Sequence, residues 1–238
     1  MALSLKLGNS LTTSGYLYDN IWALGFNGTD EYVSVDAVAS SIDRTQGTIV
    51  VWAKLNTMSA SGVMFRSQVD SNNVINLLYH ASANEVRFTY KAGGTAVAVA
   101  FADAIEADGK WHHIMATWET AEDEIKLYLD GTLKQTGTGL GGFSGTPSIA
   151  DIGQNTQDGA FFNGNIAEVG VFAGVIDIGK LFVADREPVN LTGMARLKGY
   201  YQFNSGSGTV AVDSSGNGKN GTLFNTPTWS KSVPYKAN

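Results

Sequence analysis

Residues Trp111 to Gly131 constrain this chain more than any other stretch. Trp111-His112-His113-Ile114-Met115-Ala116-Thr117-Trp118-Glu119 is rich in aromatic and β-branched residues and reads as a strand. A polar connector, Thr120 to Glu124, follows, and then Ile125-Lys126-Leu127-Tyr128-Leu129 alternates apolar with polar before Asp130-Gly131, a hairpin-turn signal. In the first strand His112, Ile114, Ala116 and Trp118 share one side, while Trp111, His113, Met115 and Thr117 share the other. Both sides carry bulky groups, so the strand is expected inside a sheet covered on both faces, which two stacked sheets would supply.

The rest of the chain repeats the pattern. Strands are expected at Tyr32 to Val35, Thr48 to Leu55, Gly62 to Arg66, Val74 to Tyr79, Glu85 to Tyr90 and Ala96 to Phe101. Clusters of Ser, Asn, Gly and Asp separate them, a spacing that belongs to a sandwich or barrel. Further strands are expected near Ser148 to Ile152, Phe161 to Phe172, Lys198 to Phe203 and Thr222 to Phe224. One short helix is expected from Asp177, as its N-cap, to just before Pro188, burying Leu181 and Phe182. The division expected is an N-terminal arm or edge strand at 1–20, a domain at 21–226 and a tail at 227–238.

Charge and cysteine content remove several function classes. A formal net charge of −6, with no run of Lys or Arg, argues against nucleic-acid binding, which needs cations to displace phosphate counterions. The chain has 0 cysteines, which excludes disulfides, zinc–thiolate sites and thiol nucleophiles. The first residues alternate instead of forming an apolar core, so no signal peptide is read, and no apolar run approaches the ~20 residues that span a bilayer. Cytoplasmic synthesis without membrane insertion is the expectation.

Seven short motifs occur together: Phe26-Asn27-Gly28-Thr29-Asp30-Glu31-Tyr32-Val33, Trp52 with Lys54, Trp111-His112-His113, Leu127 to Gly131, Ile152-Gly153, Phe162 to Val169 and Asp213 to Gly218. In combination they resemble the laminin G-like domains of the concanavalin A-like lectin/glucanase superfamily. The resemblance implies an all-β jelly roll of two antiparallel sheets, often non-catalytic, often engaged with glycans or protein partners, with calcium common. Two positions depart from the pattern. Asn27 stands where Asp is usual, and Ala167-Glu168 replaces an acidic pair. The segment from Tyr200 to Gly218 follows the Phe162-Asn163-Gly164 motif instead of preceding it, as in a circular permutation with 197–226 completing the sandwich; the alternative is that this tail completes a neighbouring subunit. Similar free-standing chains occur among virion proteins of tailed phages. The resemblance therefore implies a virion surface, tail or fibre protein that adheres to host polysaccharide, with virion proteins or its own copies as partners through the terminal arms. A free-standing carbohydrate-binding module and a glycoside hydrolase or lyase are the rival readings.

Asp213-Ser214-Ser215-Gly216-Asn217-Gly218 offers oxygen donors at alternate positions and glycine at the sixth, the opening of a calcium loop. Asp213, Ser215 and Asn217, completed by Glu168, are the candidate calcium ligands, and an ordinary Asx turn is the alternative. In the loop from 155 to 161, Asn155, Gln157 and Asp158 are the candidate ligand-binding residues. His112 and His113, adjacent on a strand, face opposite ways and cannot chelate one ion. Gly137-x-Gly139-x-x-Gly142 lacks the helix a dinucleotide fingerprint requires. Glu119, Glu122, Asp123 and Glu124 fall in a hairpin turn and do not form the close carboxylate pair of a retaining glycosidase. Tyr18, Trp229 and Tyr235 are aromatics that would stack on sugars if exposed.

Overall fold

The computed structural model describes residues 20–102, 105, 109–155, 159–183 and 187–234. Its strands, in chain order, begin with β1 (Ala23–Asn27), β2 (Tyr32–Ser34), β3 (Gln46–Leu55), β4 (Gly62–Asp70), β5 (Asn73–His80) and β6 (Glu85–Ala92). Then come β7 (Thr95–Ala102), β8 (His112–Glu119), β9 (Glu124–Leu129), β10 (Thr132–Gly137), β11 (Ile149–Ile152) and β12 (Gln154–Asn155). The last are β13 (Ala160–Phe161), β14 (Asn163–Phe172), β15 (Leu197–Tyr201), β16 (Val210–Ala211), β17 (Gly221–Phe224) and β18 (Thr228–Ser230). A one-turn helix, α1 (Asp36–Ala39), follows β2.

Two antiparallel sheets form the sandwich. The first runs β10-β9-β8-β3-β14-β1-β18, with β15 also on β14; the second runs β16-β17-β2-β11-β4-β5-β6-β7; β12 and β13 make a separate two-stranded ribbon. Alternation assigns the faces. Ile114, Ala116 and Trp118 of β8 meet Ile75, Leu77, Phe88 and Val99 of the second sheet in one core. The β9–β10 turn at Asp130-Gly131 has φ of 47° and 76°, the paired positive values a two-residue hairpin requires. The C-terminal region lies within this one chain's sandwich. β15 extends β14, β17 pairs with β2, and β18, in the segment expected as a tail, pairs with β1. Of the expected N-terminal arm, residues 1–19 lie outside the described residues.

Two expectations are corrected. The second face of β8 is not sealed by the other sheet. Met115, with Val50 of β3 and Phe172 of β14, packs under Leu181 and Leu191, from between β14 and β15, and under Leu197 and Tyr200 of β15 itself. A two-layer sandwich buries one face of each sheet, and a third cover was needed. The helix expected from Asp177 is a single 3₁₀ turn, Ile178–Lys180, capped as foreseen by Asp177, which accepts from the Gly179 N–H at 2.8 Å. Gly179 weakens helix propagation. Beyond it Phe182 forms an antiparallel bridge with Pro188 and packs near Trp52 and His113, a pairing that a continuing helix would not allow.

Candidate functional site

The loop at Asp213 is an internal Asx structure. Asp213 Oδ1 accepts from the N–H groups of Tyr200 (3.0 Å) and Ser215 (2.9 Å), and Oδ2 accepts from Lys219 N–H (2.9 Å). Asn217 turns its amide N–H groups toward the carbonyls of Leu197 and Lys198 and the Ser215 hydroxyl. Burial works to raise the Asp213 pKa, but these donated hydrogen bonds outweigh it and hold the carboxyl below its ordinary range. Glu168 is not brought to this loop. It sits at the β14 bulge, with φ of 56°, where β14 changes partner from β1 to β15, and its carboxylate accepts from the Tyr200 hydroxyl and the Asn20 amide. Tyr200 thus meets Asp213 with its backbone and Glu168 with the far end of its ring. Both Asp213 oxygens accept from N–H donors and Glu168 is engaged by Tyr200 and Asn20, so the structure does not bring the four expected ligands together; among the described residues no group of three or more acidic or histidine side chains gathers in one place. Asp213→Ala is expected to cost about 1–3 kcal/mol by orphaning those donors. Excess chelator should leave the melting temperature unchanged, and calorimetry checks both.

The outer face of the second sheet carries a different arrangement. Its register places Thr222, Ser34, Asp151, Arg66, Asn76 and Thr89 side by side across β17, β2, β11, β4, β5 and β6. In an antiparallel sheet such partners share a face, so this is one continuous polar row. Part of it opens into a trough of about 340 Å³ walled by Arg66, Ser71, Asn76, Thr89, Lys91 and Asn155, with Val74 also in its lining. Asn155 belongs to the β12–β13 ribbon beside β4, so the structure places this expected ligand-binding residue in the trough; Gln157 and Asp158 lie outside the described residues.

The trough is preorganised. Arg66 is 4% exposed, and its guanidinium donates to Asn155 Oδ1 and Gln68 Oε1. Asn76 lines the trough wall, and its Oδ1 has no hydrogen-bond partner within the protein. Next to Arg66 on β11, Asp151 is 8% exposed; burial pushes its carboxyl up to about 6, and the Gln154 hydrogen bond and the Arg66 charge offset only part of that. Further along the same face Tyr32 and Phe224 stack with centroids 4.6 Å apart and planes 3° apart, leaving Phe224 39% exposed.

The remaining candidates have structural roles. Asp123, in the β8–β9 turn, accepts from the N–H groups of Gly139 (3.0 Å) and Leu140 (2.7 Å), so the protein's own carboxylate occupies the anion-binding end of the glycine-rich loop. Glu124 pairs with Lys126 at 2.5 Å. His112 meets Asp130 at 2.9 Å, whereas His113 is buried between Trp52 and Phe182. Trp229 is half-buried against the core, with its indole N–H on the Gly208 carbonyl, and Tyr18 and Tyr235 lie outside the described residues. Sequence reasoning missed Arg66, Asn76, Thr89 and Lys91. Their signal was the period-two alternation of Arg87, Thr89 and Lys91 with Val86, Phe88 and Tyr90, which marks a polar outer face.

Comparison with known proteins agrees with this architecture. A family model described as Concanavalin A-like lectin/glucanases superfamily matches residues 27–177. A candidate carbohydrate-binding protein from Bacteroides ovatus ATCC 8483 superposes with a TM-score of 0.62 at 16% identity, over 92% of this chain and 62% of that one. The CBM40 module of Ruminococcus gnavus IT-sialidase, bound to α2,3-sialyllactose, superposes with a TM-score of 0.57 at 15% identity, over 68% of this chain and 97% of that one. Adhesion G protein-coupled receptor D2 of Homo sapiens is 40% identical over 57 residues, 23% of this chain but 6% of the receptor. At 15–16% identity the structural likeness is one of fold.

Proposed function

This chain belongs to the concanavalin A-like lectin/glucanase superfamily, and from that membership we propose that it is a non-catalytic glycan-binding domain whose binding surface is the outer face of its second sheet. The observation that carries the reading is the Arg66–Asn76–Thr89–Lys91 trough: fixed polar groups, one of them an unpartnered acceptor, line a concavity of about 340 Å³. A saccharide suits it because hydroxyl groups donate to Asn76 Oδ1 and accept from Lys91 and Thr89. The stacked Tyr32 and Phe224 offer an apolar step for the C–H face of a neighbouring sugar ring.

Hydrolysis asks for opposed carboxylates, and among the described residues the trough wall holds none. Such a wall suits binding without turnover, which is the reading proposed. Titration of a glycan panel tests the reading: the parent chain should bind at least one oligosaccharide, and Thr89→Trp, which fills the trough from a half-buried outward position, should weaken that binding about tenfold or more. A blank panel, or equal affinity in Thr89→Trp, rejects the site; released sugars or unsaturated products would reject the non-catalytic assignment. Adhesion at a virion surface is the context the family resemblance implies, and it adds a requirement for assembly, tested by whether the purified chain self-associates in sedimentation or binds virion components.

A further inference from the structure

The trough is positive in an acidic protein. The chain carries a formal net charge of −6, yet the trough wall holds two cations, Arg66 and Lys91, and among its described residues no carboxylate. A concave site lined by one sign of charge concentrates field lines and draws the opposite sign. The guanidinium is also fixed in place, by Asn155 on one side and Gln68 on the other, so it meets an incoming anion without reorganising. Its neighbour in register, Asp151, stands beside it on β11, largely screened from solvent.

We propose that the trough takes the anionic group of an acidic saccharide on Arg66 and Lys91, and that Asp151 sets the strength of this recognition, neutralising Arg66 when ionised and releasing its charge when protonated. The proposal rests on the glycan-binding reading of the trough and adds the ligand's charge and a control on its affinity. Three groups surround Asp151: Arg66 from β4, Asp36 from α1 and Tyr32 from β2. Asp36 raises the Asp151 pKa and is itself anchored by accepting from the Ala150 N–H at 2.8 Å. The Tyr32 hydroxyl, pushed up by burial and by both carboxylates, stays neutral. Asp70, near Lys91, is held below its ordinary range by the N–H groups of Asn72 and Asn73 and so stays ionised throughout the working range. Burial places the Asp151 transition at about 6. Acidification through that point therefore removes a negative charge from beside Arg66, while a uronate or sulfate ester on the ligand keeps its own.

Isothermal titration with three probes tests this: polygalacturonate oligosaccharides, heparin-derived sulfated oligosaccharides and neutral galactan oligosaccharides, each near pH 7.5 and near pH 5. An acidic probe should bind about tenfold or more tightly than the neutral one, and its affinity should rise about fivefold on acidification. Whether the uronate or the sulfated arm responds identifies the anion. Asp151→Asn should hold the low-pH affinity at both pH values, and Lys91→Ala, at a half-buried position on the trough wall, should weaken acidic probes about tenfold and neutral ones by about threefold or less, since a neutral sugar loses one hydrogen bond there and an acidic one loses an ion pair as well. Preference for the neutral probe, or the same pH dependence in parent and Asp151→Asn, overturns this inference and leaves the glycan reading standing. Absence of binding to all three probes and to a wider panel overturns both.

Discussion

Replacing Trp118 by alanine is expected to lower the melting temperature by about 10–15 °C, the effect of losing about 3–5 kcal/mol in a chain of this length. Trp118 is fully buried between the two sheets, beside Phe88 from the second, and its indole N–H donates to the Asp43 carbonyl at 2.9 Å. Alanine removes the largest side chain of β8, an interior strand, and orphans that carbonyl at once. The two sheets cannot collapse around the void, because β8 is tied on both sides by β3 and β9. Gly47, directly opposite Trp118 in β3, shows how tightly the ring is held: a Cβ there would stand 2.1 Å from the indole. Trp118→Phe should cost less, since it keeps most of the apolar volume and loses the hydrogen bond. Thermal unfolding by calorimetry reads both variants, and near-parental stability in Trp118→Ala would mean that the sandwich core is not organised around this strand.

The fold was legible where a side chain's chemistry and its place in the period-two pattern coincide. In Trp111 to Gly131 the alternation, the polar turn and Asp130-Gly131 each point to a hairpin, and the structure has β8 and β9 there, with β10 across the Asp-Gly turn. The cover over Met115 and Val50 was not legible, because Leu181 and Leu191 stand ten residues apart outside any strand and Leu197 only opens β15, which leaves no period to read. The Asp213 loop shows a different limit. Calcium loops and Asx turns draw on the same residues, and they differ only in whether a cation or backbone N–H groups satisfy the oxygens, which depends on where Tyr200 and Lys219 fall in space. Glu168 was legible as an acid out of pattern but not as the residue at a bulge where β14 exchanges one partner strand for another. Burial raises its pKa well above the ordinary value, the opposite of what a cation ligand needs. The trough was half legible: Asn155 came from its loop, but Arg66 comes from a strand whose other residues look like core, and only the register with Asp151 and Asn76 sets them in one row.

Acid should destabilise the protein through His113, and replacing that residue by phenylalanine should remove the effect. The imidazole is fully buried, 5.3 Å from Trp52 and 5.2 Å from Phe182 between ring centroids, and neither ring nitrogen has a hydrogen-bond partner. Burial lowers its pKa from 6.5 to about 4, and the nearby Asp130 carboxylate offsets only part of that. Above 6.5 neither the folded nor the unfolded chain protonates this ring, so it adds no pH dependence. Between 6.5 and about 4 the unfolded chain takes up a proton that the fold refuses, and stability falls by about 3 kcal/mol across that window. Asp151 and Glu168 act in the opposite sense. Their folded values are raised, so the stability they contribute is fully present below the ordinary carboxylate range and is lost as pH rises through the folded values, about 6 for Asp151. The parent's profile sums these opposed slopes, and the difference between parent and His113→Phe isolates the imidazole. Denaturant unfolding from pH 7.5 to 4 should give a difference that is flat above 6.5 and grows by about 3 kcal/mol toward 4 in favour of the variant, which should be no less stable than the parent at pH 7.5 because it leaves no unpartnered nitrogen. Parallel curves would show that the ring is protonated in the fold as readily as in the unfolded chain, and that Trp52 and Phe182 do not seal it from water.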